Sequence, residues 1–301
     1  ASNIGIDSTS GTGNNGIGNT DSSQLRFDQS FTAGNDVAIS ISNSGFFSGT
    51  NTTQGDTVSI INGSQFLSSG AFQVEDNFTC QVQNTGNDSC TGIGLSNIGQ
   101  INAAQMILQT TGAAGNNCMI TISNTGINTS QTTAFSDFVG YLNDEQLFLG
   151  GTFQAGNDFS LAVNNTGTDT STGHGGGAQV AVINSNSGTS GNQILFAQGS
   201  TLGDRASISV ANSGTYSGTN TSGGSNVGGM NLAQFAIGDA LSPGSYTFNA
   251  GDNFSLSASC AGIDSAHGTG GDAIGNASTD QVVFFTPCSL GNNALIHVTK
   301  T

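Results

Sequence analysis

The residues best equipped for chemistry are oxygen-rich turn phrases. Asn35/Asp36, Asp76/Asn77, Asn157/Asp158, Asp204 and Asp252/Asn253 each place a carboxylate in a tight turn, in most cases beside an amide. Carboxylate and amide oxygens near backbone carbonyls suit a hard cation that takes six to eight oxygen ligands. Calcium is therefore the one cofactor these residues suggest, with Asp36, Asp76, Asp158, Asp204 and Asp252 as ligands. Plain turn chemistry competes with it, because Asx side chains bond their own backbone and tolerate left-handed conformations. A single carboxylate per turn favours the turn.

Other reactive groups are sparse. His174, His267 and His297 fall at unrelated places, and no HExxH, GxSxG, paired CxxC or phosphate-loop motif occurs. No catalytic residues are assigned, and the chain reads as a non-enzyme. Cys80 and Cys90 flank a Gly/Asn turn, and Cys260 and Cys288 lie in neighbouring repeats. These two pairs are the expected disulfides, with Cys118 a buried small hydrophobe; five reduced thiols are the alternative.

Charge narrows the partners. The 301 residues carry a net −16, with Arg26, Arg205 and Lys300 the only strong cations. Neutralising phosphates requires many more basic groups, so nucleic acid is excluded, and anionic membrane surfaces are disfavoured. No apolar run reaches the roughly 18 residues of a spanning helix, so no membrane insertion is expected. The Ala-Ser start is compatible with signal cleavage and points to a secreted, extracellular protein.

Such groups need a scaffold, and the scaffold is written as a repeat. Gln24, Gln65, Gln105, Gln146, Gln193, Gln234 and Gln281 each precede a short apolar run, at spacings of 41, 40, 41, 47, 41 and 47 residues. An Asn-x-Gly recurs with the same phase at Asn43, Asn84, Asn124, Asn165 and Asn212, and Asn3 opens the chain with another copy. Forty-six glycines and abundant Asn, Ser and Thr argue against long helices. Each unit reads as three short strands: one after the glutamine, one after the AGND turn, and one beyond a Gly/Ser/Thr loop.

The second strand alternates, as in Phe159/Leu161/Val163 against Ser160/Ala162/Asn164, which predicts one buried and one wet face. The asparagines share the apolar parity, so stacking would align them, and the glutamines, in internal files of amides. Local Asx turns are the competing role for the asparagines. The first strand is apolar on both faces. Its outer row, Leu67, Ile107, Phe148, Leu195 and Val283, broken by Arg26, requires a cover from the chain's own loops or from another subunit.

These observations predict an all-β repeat protein, residues 1–301 forming one domain of seven units with residues 1–23 the tail of a partial unit. A β-solenoid is favoured over a seven-bladed propeller or a strand-exchanging sandwich subunit. The chain begins and stops at nearly the same phase, so its two ends, around Asn3, Ile4 and Ile296, would join head to tail. The function expected is a structural subunit of an extracellular filament, sheath or surface layer, whose partners are copies of itself. The alternative is a secreted adhesin or a glycan- or ice-binding module, its Ser/Thr-rich loops and outward hydroxyls meeting the partner.

Overall fold

The computed structural model describes residues 1–12, 16–52, 56–94, 96–132, 137–142, 144–173, 177–182, 192–221, 223–230, 233–238, 244–269, 271–275 and 281–301. The alternating runs form strands that pair in parallel with their equivalents in the next repeat, in one 13-stranded and three seven-stranded sheets. One coil comprises Met106–Leu108, Gly112–Ala114, Met119–Asn124, Ile127–Thr132 and Phe138–Val139. Leu147–Leu149 then starts the next coil directly over Met106–Leu108.

This is a β-solenoid. A propeller blade would pair strands within a repeat, whereas here the partners are successive coils. Ser2–Gly11 pairs with Ala38–Asn51, and Leu295–Lys300 with Ser255–Cys260, so the two ends do not close on each other.

Each coil holds five strands where the sequence suggests three, because glycine corners divide the longer runs. A Cβ at Gly151 would lie 2.4 Å from the Thr110 carbonyl carbon, so the run after Gln146 turns there. At Asn165-Thr-Gly167 a Cβ would meet the Gly126 oxygen at 2.6 Å. The chain bends at this point and resumes as Thr168–Gly173 in the same sheet. The AGND phrase is a left-handed corner: Asp36, Asn77, Asn117, Asp158, Arg205, Asn253 and Asn293 have φ of 56–61°. Asn and Asp tolerate that region better than other side-chain-bearing residues.

Stacking carries identical parities into continuous interior rows. Cys80, Ile120, Leu161, Ile208 and Leu256 form one such row, each at most 2% exposed. Phenylalanines fill the corner beside it; Phe153 meets Phe159 with ring centroids 5.4 Å apart, a spacing at which aromatic pairs attract. A separate apolar lobe is built on Val58, Ile98, Val139, Val180 and Val227, each fully buried. The amides lie between the two lobes.

Candidate functional site

The Asn and Gln files are a hydrogen-bonded double ladder that partitions the solenoid. Within each of five coils the two amides exchange reciprocal bonds. Gln146 Nε2 donates to Asn165 Oδ1 at 2.9 Å, and Asn165 Nδ2 donates to Gln146 Oε1 at 3.0 Å. The Gln24–Asn43, Gln65–Asn84, Gln105–Asn124 and Gln193–Asn212 pairs repeat the pattern.

Between coils the second hydrogen of each amide runs along the stack. Asparagines donate forward, Asn43 to Asn84 to Asn124 to Asn165 to Asn212, at 2.6–2.9 Å. Glutamines donate backward, from Gln193 to Gln146, Gln105, Gln65 and Gln24, at 2.8–3.4 Å. The two files of amide dipoles therefore oppose one another. Central members use both donors and both acceptor lone pairs, the full capacity of a primary amide.

The ladder stops at the sixth coil. Cys260 and then Lys300 hold the asparagine position. Asn212 Nδ2 turns to the Met230 sulfur at 3.7 Å and Gln234 Nε2 to the Ser259 carbonyl. Gln234 Oε1 and Gln281 Oε1 have no partner among the described residues. At the other end Asn3 and Ile4 align with Asn43 and Ser44 through the backbone.

The turn residues form a second, external ladder. Asp76, Asp204 and Asp252 each accept the backbone N–H of the equivalent residue one coil on, for example Asn116 N–H to Asp76 Oδ1 at 2.6 Å. Asp36 accepts from Asn77 Nδ2, and Asp158 takes a bidentate contact from Arg205 at 2.6 and 2.7 Å. That guanidinium holds the Asp158 carboxyl below the usual range. Register places the five acids in adjacent columns of one exposed corner. Oδ1 of each is engaged in a stacking bond, and in Asp158 Oδ2 as well; no group of three metal-ligating side chains converges among the described residues.

The expected disulfides are absent, and all five cysteines are free. Cys80 and Cys90 lie in successive strands of one sheet, Thr79–Asn84 and Asn87–Gly92, so a mostly extended segment of at most roughly 30 Å holds them apart; a bridge needs Cα atoms within about 7 Å. Cys80 is core, its thiol pushed up to about 12 by burial. Cys260 stacks between Asn212 and Lys300, while Cys288 sits on a different sheet over Phe248.

The outer row is partly covered. Leu195 is 4% exposed, Leu67, Ile107, Phe148 and Val283 are half-buried, and Arg26 is exposed. His267 and His297 are exposed, and His174 lies outside the described residues.

Stacking also assembles features that no local motif announces. Ser48, Ser89, Thr129, Thr170, Ser217 and Ser265 form an unbroken outward hydroxyl column. Thr50, Thr91, Thr172 and Thr219 lie in the column two residues further on, interrupted by Gln131. On the inner face of these strands Asp88, Asn128 and Asp169 share one row, with both acids buried and Asn128 half-buried. Burial pushes the Asp88 and Asp169 carboxyls up to about 7, and the charge of Asp88 adds to the effect on Asp169. Ser59 and the Phe47 backbone offset it in part at Asp88, as Asn128 does at Asp169. Comparison with protein-family models, curated proteins and solved structures gives no match.

Two outcomes are expected. Asn124→Asp keeps the shape but cannot donate to Gln105 or Asn165, and should cost about 3–5 kcal/mol. Cys260→Asn would supply Gln234 with a donor and Asn212 with an acceptor, a gain of about 1 kcal/mol. Urea midpoints check both; a silent Asn124→Asp or a destabilising Cys260→Asn contradicts the ladder. The raised carboxyls give a pH dependence. Their folded pKa values exceed the unfolded ones, so their stabilisation is full below about pH 4 and is lost as pH rises through 7. In chelator-treated buffer the melting temperature should fall from pH 5 to pH 8, and a rise would contradict this burial.

Proposed function

We propose that this chain is a non-catalytic structural subunit that works outside the cell and assembles end to end into filaments. The observation carrying this reading is that every coil continues the apolar rows and parallel strand pairing of the coil before it, so that an equivalent coil of another copy can extend the stack. Ile208 and Leu256 are each 1% exposed, whereas Ile296, next in the same row, is 43% exposed. Val298 is 46% exposed, beyond Val210 at 1% and Ala258 at 0%. Parallel strand edges of this kind template further pairing wherever they are left open. A second copy, offering its own first coil, supplies matching strands and a matching apolar row. Three basic residues in 301 also leave few sites for trypsin-like proteases, a property that suits an exposed extracellular material.

The hydroxyl columns favour a second reading, adhesion to an ordered hydroxylated surface such as a crystalline glycan or ice. Their spacing is fixed by the coil repeat in one direction and by the strand in the other.

Negative-stain microscopy of the purified protein tests the proposal. Filaments as wide as a single solenoid are expected, and Ile296→Asp with Val298→Asp should leave short single rods with an unchanged β circular-dichroism spectrum. Wild-type protein remaining as discrete particles at high concentration contradicts end-to-end assembly. Such particles co-sedimenting with crystalline glycan would favour the second reading.

A further inference from the structure

Between the amide partition and the second apolar lobe runs a cavity of about 90 Å3, large enough for several water-sized groups. One inward row crosses it, with one residue per coil: Phe47, Asp88, Asn128, Asp169 and Tyr216. Two acids flank an amide, and an aromatic ring stands one coil beyond each acid. Phe47 and Tyr216 are 6% and 7% exposed and line the cavity with the acids. No basic side chain among the described residues lines it.

Asp88 is 6% exposed, and its Oδ1 has no hydrogen-bond partner among the described protein groups. An ionised oxygen there needs a donor or a cation, and a protonated one needs an acceptor; in either state its partner must come from the cavity. Asp169 differs, because its Oδ1 accepts from Asn128 Nδ2 at 2.6 Å.

We propose that the cavity is a binding site for a small divalent cation of the magnesium type, ligated directly by Asp88 Oδ1 and retaining part of its water shell. The lining selects that class. The ladder oxygens of Asn84 and Asn124 each already accept two hydrogen bonds, Ser59 and the Phe47 backbone are bonded to the Asp88 carboxyl, and water completes most of the coordination. A cation that keeps several waters and takes one or two carboxylates matches such a site better than calcium, which demands more protein oxygens. Two coils separate Asp88 from Asp169, roughly 10 Å at the spacing of paired strands, too far for one ion to touch both. One divalent ion nevertheless balances the two buried charges. Phe47 and Tyr216 stand at the two ends of the row and line the cavity with the acids. This site is separate from the exposed turn acids and independent of end-to-end assembly.

The full chain is unfolded in guanidinium chloride with EDTA, refolded with or without MgCl2, desalted, and assayed for metal by mass spectrometry and for melting temperature. Wild type should retain one magnesium per chain and melt at a higher temperature than the metal-free refolded sample. Asp88→Asn should lose the metal and the shift, while Asp28→Asn, on the surface, keeps both. Wild type without retained metal, or Asp88→Asn binding as wild type does, overturns the proposal. If Asp88→Asn does not fold, wild type refolded in MnCl2 and crystallised gives the decision. Anomalous density beside Asp88 Oδ1 supports the site, and density elsewhere or none overturns it.

Discussion

A primary amide buried in a protein has two donors and two acceptor sites to satisfy, and few environments satisfy all four at once. Here the partner of each amide is another amide, across the coil and along the stack, so every coil completes the one before it. That requirement fixes the register of the solenoid. A strand slipped by one residue would turn its asparagine to solvent and leave a glutamine alone between two apolar lobes. The insertions show how firmly this holds. Register jumps from 41 to 47 residues between Val180 and Ile194, and from 41 to 48 between Ile237 and Phe248. Even so, Gln146 still meets Gln193 and Asn165 still meets Asn212. The first insertion leaves the ladder unbroken, and the second falls in the coil where the ladder has already ended.

The same logic, side chain to the equivalent group one coil away, recurs at the exposed corner. There Asx oxygens accept backbone N–H groups, and Arg205 occupies a left-handed position with its guanidinium clamped on Asp158. Internal amides, external Asx turns and apolar rows are three versions of one axial repeat. Together they hold a glycine-rich chain with few charged pairs in order.

Much of this was legible in the sequence, because stacking turns a phase in the chain into a file in space. The glutamine and asparagine phases, the alternation of the second strand and the parity of Phe159, Leu161 and Val163 all survive into the structure. What escaped was whatever depends on the coil's cross-section. Gly151 and Gly167 mark corners only because a neighbouring backbone passes within reach, so five strands read as three. Cys80 and Cys90 looked close along the chain, but extended strands separated them. The row through Phe47, Asp88, Asn128, Asp169 and Tyr216 mixes aromatic, acid and amide, so no repeated residue type betrays it. The hydroxyl column through Ser48 and Thr129 was hidden in the same way, among serines and threonines that are everywhere.

Side-chain amide hydrogen exchange, resolved by NMR, tests the ladder most directly. If the amides are locked in this double file, the NH2 groups of Gln105, Asn124 and Gln146 should exchange as slowly as the strand backbone beside them. Gln281, with its Oε1 unpartnered and beyond the last reciprocal pair, should exchange faster. Rapid exchange at Asn124 and Gln146, comparable to that of exposed asparagines, would mean that the stack is held by something other than its amides.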